Sequence, residues 1–171
     1  DLLWADKLTA DTADDYRNRE GFETVRERRA RRPGGWIAIT GHRGNWEWPG
    51  LALGVAGIPT FIVAENFKNP SLTETFHRLR EVSGNTIIAQ ENSMLRLLKT
   101  VKRGSATGML LDLSLHPTQA ATIIEGFGLK MCVSFLHPVL AQRPRTLLVP
   151  LAPLPRPHRP PRLTPLPPLV C

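Results

Sequence analysis

Four short apolar runs, at residues 36–40, 60–64, 86–88 and 107–111, limit what this 171-residue chain can fold into. Each is of strand length, and the first, Trp36-Ile37-Ala38-Ile39-Thr40, is bounded by glycines, as a buried strand is. The segments between them read as helices. Residues 48–55 form one, ended by Gly57. Asn69-Pro70 starts a second, because asparagine caps free N–H groups and proline suits the first turn. Phe76, Leu79 and Val82 recur along it, and Gly84 closes it. Residues 93–102 form a third, with Met94, Leu95, Leu97, Leu98 and Val101 on its apolar side. Strands alternating with helices predict an α/β fold, a mainly parallel central sheet flanked by helices.

The two ends are less regular. Residues 9–32 read as one polar helix ending in Arg26, Arg28, Arg29, Arg31 and Arg32, stopped by Pro33-Gly34-Gly35. Beyond Pro117, residues 121–124 suggest a strand, 133–142 a helix and 146–149 another strand. Nine of the sixteen prolines fall between Pro150 and Pro168. They fit either an extended proline-rich tail or edge strands, which tolerate the missing donor. The length suits a single domain over residues 1–171, and the start at Asp1, without methionine, suggests a fragment of a longer protein.

A formal charge of +7 points to an acidic partner: nucleic acid, anionic lipid or an acidic carrier protein. Nucleic acid is the poorest fit, because the tryptophans of the 41–50 stretch stand apart from the arginine clusters and make no basic stacking platform. Two cysteines, Cys132 and Cys171, suggest neither a disulfide scaffold nor a zinc site, and a reducing compartment fits. No apolar run is long enough to span a bilayer.

The residues able to do chemistry gather in Gly41-His42-Arg43-Gly44-Asn45-Trp46-Glu47-Trp48-Pro49-Gly50. His42 directly follows the first strand, at the carboxyl end where open α/β sheets place their sites. Gly41 and Gly44 permit a tight turn. Glu47, in the first turn of the next helix, could accept the second imidazole N–H and orient the ring as a general base for a hydroxyl. A polar loop histidine, a first-turn glutamate favoured by the helix dipole and an Asn45 cap are the ordinary alternatives. Trp46 and Trp48 read as walls between the turn and the core.

His42-Arg43-Gly44-Asn45-Trp46-Glu47 resembles the H-x-G-N-W-E form of the H-x4-[D/E] motif of the lysophospholipid acyltransferase superfamily. More narrowly, it is similar to the lipid A biosynthesis acyltransferases, the lauroyl and myristoyl transferases of Gram-negative bacteria. Lys68-Asn69-Pro70, the helix bearing Arg78 and Arg80, Lys102-Arg103-Gly104, Asp112, Phe127-Gly128 and Leu166-Pro167-Pro168-Leu169 continue the likeness.

The resemblance implies that His42 is the general base, with Glu47 as its partner. It would draw the proton from a hydroxyl of a lipid A precursor, which attacks an acyl-carrier-protein or acyl-CoA thioester; no metal or organic cofactor is implied. Backbone N–H groups near Gly44 and Asn45 would polarise the thioester carbonyl, and Asp112 supports the site. Lys68, Arg78 and Arg80 are the candidate substrate-binding cations, because Glu65 stands where the family usually has arginine. The basic clusters 26–32 and 99–103 would meet anionic phospholipid or acyl carrier protein at the cytoplasmic face of the bacterial inner membrane. Two other readings use the same residues: an ester or thioester hydrolase, and an inactive basic fragment that binds a membrane surface. Oligomeric state is open.

Overall fold

A computed structural model describes residues 8–9, 11–31, 34–91, 93–116, 121–142 and 146–170. Arg32, Pro33, Pro117 and Cys171, named above, lie outside these residues. The central sheet takes the strands in the order β3-β2-β4-β1-β7-β8, with β9 also on β7. These are β1 Trp36–Thr40, β2 Thr60–Ala64, β3 Thr86–Ala89, β4 Ala106–Leu110, β7 Leu147–Arg156, β8 Arg159–Pro165 and β9 Leu169–Val170. Pairings β1·β4, β1·β7, β2·β3 and β2·β4 are parallel, and only β8 and β9 run antiparallel to β7. The expected α/β sheet is present.

Alternation along β1 divides the core between the two faces of the sheet. Trp36 and Ala38 join Phe22, Val25, Leu51, Leu53, Val149 and Leu163 on one side. That side is covered by α1 (Ala13–Tyr16), α2 (Arg19–Ala30), α3 (Trp48–Val55) and α4 (Pro70–Glu81). Ile37 and Ile39 join Leu97, Val101, Leu140 and Leu148 on the other, under α5 (Ser93–Lys102) and α6 (Leu136–Gln142). Helix α4 starts as its sequence dictates, with the Asn69 side chain accepting the Ser71 N–H at 3.0 Å. Its face is shallow: Phe76 and Leu79 are half-buried, whereas Val82, past the helix end, is 61% exposed.

Three expectations change. The single helix over 9–32 is two helices, because the Arg17–Asn18 backbone turns extended and joins β8, Asn18 N–H donating to Leu163 O at 2.9 Å. The helix over 133–142 begins only at Leu136; Val133 belongs to β6 (Leu129–Ser134), paired with β5 (Ala121–Gly126) in a separate two-stranded sheet. A short apolar run satisfies either period, and the hairpin partner decides it. The proline-rich stretch is strand rather than extended tail, with β8 on the edge of the sheet.

Candidate active site

Strands β1 and β4 lie side by side in parallel, with Thr40 opposite Leu110. Two residues further along each chain come His42 and Asp112, so the register itself brings them together beyond the carboxyl edge of the sheet. His42 Nδ1 is 2.8 Å from Asp112 Oδ1, and the His42 backbone N–H donates to Oδ2 at 2.7 Å. A carboxylate only accepts, so Nδ1 donates, and in the neutral imidazole Nε2 keeps its lone pair for a substrate. Gly41 makes the approach possible: a Cβ there would stand 2.8 Å from Asp112 Oδ2. Partial burial pushes the Asp112 carboxyl up. Hydrogen bonds from the His42 ring, the His42 N–H and its own N–H outweigh this and hold it below the usual carboxylate range.

Glu47 is elsewhere. Its carboxylate is gripped by the Arg80 guanidinium, Nη2 to Oε1 at 2.6 Å and Nε to Oε2 at 3.0 Å, with the two side chains only 16% and 11% exposed. The carboxylate on the imidazole is therefore Asp112, where Glu47 was expected. The reason is geometric: Glu47 occupies the N-cap position of α3, and its side chain reaches across to the last turn of α4. Asn45 does not cap that helix, and Glu47 makes no capping bond either.

Gly44, at φ +61, turns the chain between them. The N–H groups of Gly44 and Asn45 meet no acceptor among the described residues and stand within three residues of His42. Trp46 lies over the imidazole, ring centroids 5.1 Å apart, and is 37% exposed, so it faces the site rather than walling it from the core. Trp48 does join the core side, edge-on to Tyr16 at 4.6 Å.

Of the three candidate cations, Arg80 is committed to Glu47, with its guanidinium carbon 5.7 Å from the Phe76 ring centre. Lys68 and Arg78 are exposed, and Arg78 lines a cleft of about 790 Å³ along α4 with Asn66, Phe67, Thr73 and His77. Neither His42 nor Asp112 lines it. The Glu47–Arg80 pair was not anticipated, since nothing local links positions 33 residues apart. The described residues of the two basic clusters, Arg26, Arg28 and Arg31 of the first and Lys99, Lys102 and Arg103 of the second, lie toward the opposite edge of the sheet from His42, where α2 and α5 end just before β1 and β4 begin.

An imidazole with one nitrogen held by a carboxylate and the other open can move a proton. That chemistry is shared by many enzyme classes, and the family match narrows it. The family model described as bacterial lipid A biosynthesis acyltransferase matches residues 3–167, and the chain belongs to that family. It is thus an acyltransferase of lipid A, and hence lipopolysaccharide, biosynthesis. No curated protein matches the chain. Among the described residues no helix is long and apolar enough to cross a membrane.

Proposed function

We propose that the protein moves a fatty acyl group from an acyl-carrier-protein thioester to a hydroxyl of a lipid A precursor, with His42 as general base oriented by Asp112. The observation that carries this is the 2.8 Å contact between His42 Nδ1 and Asp112 Oδ1. In the reaction, Nε2 takes the hydroxyl proton as the oxygen attacks the thioester carbonyl carbon. The carbonyl oxygen gains the negative charge, facing the N–H groups of Gly44 and Asn45. Collapse breaks the C–S bond, and the thiolate leaves with the proton held on Nε2. Atoms and charge balance without a further reagent, and an acyl-CoA thioester would serve the same chemistry.

Glu47 and Arg80 hold the loop that carries His42. Lys68 and Arg78, exposed and outside any ion pair among the described residues, are the groups suited to an anionic headgroup. The acceptor would be met at the cytoplasmic face of the inner membrane.

The test is an acyl-transfer assay with acyl carrier protein loaded with a fatty acid, run with and without a hydroxyacylated lipid A precursor. Acylated lipid is expected from the native chain, and product lower by about a hundredfold or more from His42→Ala, the scale of a lost general base. Acyl release to water at the same rate whether or not lipid is present would instead make it a hydrolase.

A further inference from the structure

The β5–β6 hairpin stands apart from the main sheet and is apolar where it should be wet. Consecutive strand residues face opposite sides, so Ile123 and Ile124, 65% and 46% exposed, put an aliphatic chain on each face. Gly126 pairs with Leu129, leaving Phe127-Gly128 as a two-residue turn, with φ +54 and +74. Two positive φ values are the pattern of a type I′ turn, which favours Asn-Gly; a bulky side chain at the first position is strained. Phe127 nonetheless occupies it, fully exposed, followed by Leu129 at 67%. A residue kept against its backbone preference and against solvation points to a contact outside the chain.

The hairpin is fastened to the active site. The loop leaving Asp112 donates its Leu115 N–H to Cys132 O at 2.7 Å, and Leu113 and Leu115 add exposed apolar surface to the same edge. We propose that this hairpin inserts its tip into the bilayer that holds the lipid acceptor, setting the carboxyl edge of the sheet against the membrane. The proposal rests on the acyl-acceptor reading above and names the surface that meets the lipid. Glu125 and Lys130, exposed and opposite each other across the strands, stand one step behind the tip on the face of Ile123. An apolar tip backed by a charged pair matches a medium that is apolar within and charged at its surface, whereas an apolar groove of a partner protein would hold that pair against a dry wall.

The experiment uses the full chain and vesicles of mixed phosphatidylethanolamine and phosphatidylglycerol, with Phe127→Asn as the variant. Asn-Gly suits the turn, so its melting temperature should hold or rise while vesicle affinity falls about tenfold or more, the scale of one lost aromatic contact. Binding of the native chain should survive salt of about 0.5 M, which screens surface charge. Transfer to an acceptor dispersed in detergent should be unchanged, and transfer to the same acceptor in vesicles should fall with binding. Vesicle binding equal to that of the native chain would overturn the proposal, as would a change confined to oligomer size without vesicles, which would make a second copy the occupant. If the native chain acylates neither form of acceptor while Phe127→Asn still weakens vesicle binding, insertion stands and the acyl-acceptor reading falls.

Discussion

A methyl group on residue 41 would meet Asp112 Oδ2 at 2.8 Å, so the absence of a side chain there belongs to the proposed catalytic geometry as much as the histidine does. Gly41→Ala should push the carboxylate away from His42 and lower kcat by about tenfold to a hundredfold with little change in secondary structure, which steady-state kinetics and circular dichroism would check. Asp112 itself carries a pH signature. Its carboxyl is held below its ordinary value by hydrogen bonds that outweigh partial burial. A depressed carboxylate contributes stability above the unfolded value of roughly 3.9, and that contribution is lost as pH falls through the lower folded value. Asp112→Asn should therefore be less stable than the native chain at neutral pH, with the gap closing below about pH 4; urea melts at several pH values would show it. Exposure of the pair keeps the effect modest. The same substitution should lower kcat by about a hundredfold, because an amide no longer fixes the imidazole tautomer.

At the scale of elements, α3 and α4 are joined at their ends by Glu47 and Arg80, a nearly buried two-pronged pair. Removing one partner strands the other charge, so Glu47→Gln or Arg80→Met should each cost about 3 kcal/mol. The double variant should recover part of that loss, as a double-mutant cycle by chemical denaturation would reveal. Activity should fall in the single variants through the loop carrying His42, in contrast with a direct role on the imidazole. The His42 turn was legible because a polar decapeptide follows a buried strand, and α3, α4 and α5 were legible from their caps and apolar periods. The partner of Glu47 was not, since four-residue spacing in a loop carries no fixed direction and only the packed helices decide which side chain it meets. Likewise the β6 strand hid inside an apolar run, and its Phe-Gly turn gave no ordinary hairpin signal.

For the molecule as a whole, the parallel sheet could be inferred from alternating elements, whereas strand order could not, because register between distant strands leaves no local trace. Strand β7 shows why: it lies beside β1 through Leu147–Pro150, meets β9 at Leu147–Leu148 and pairs with β8 from Leu151 on, one continuous chain serving three neighbours. Leu163 of β8 is fully buried in the core on the α2 side. Leu163→Ala should cost about 2 to 5 kcal/mol while leaving kcat of the folded fraction intact, since β8 is two strands from His42. Thermal melting and activity per folded molecule separate the two effects. The central strand also sets a timetable. His42 and Asp112 are 70 residues apart in sequence, and β1 has no neighbour made before β4. During synthesis, Trp36, Ile37 and Ile39 must wait unpaired until β4 (Ala106–Leu110) is made, so the His42–Asp112 contact cannot form early and the nascent strand is a hazard for aggregation until then.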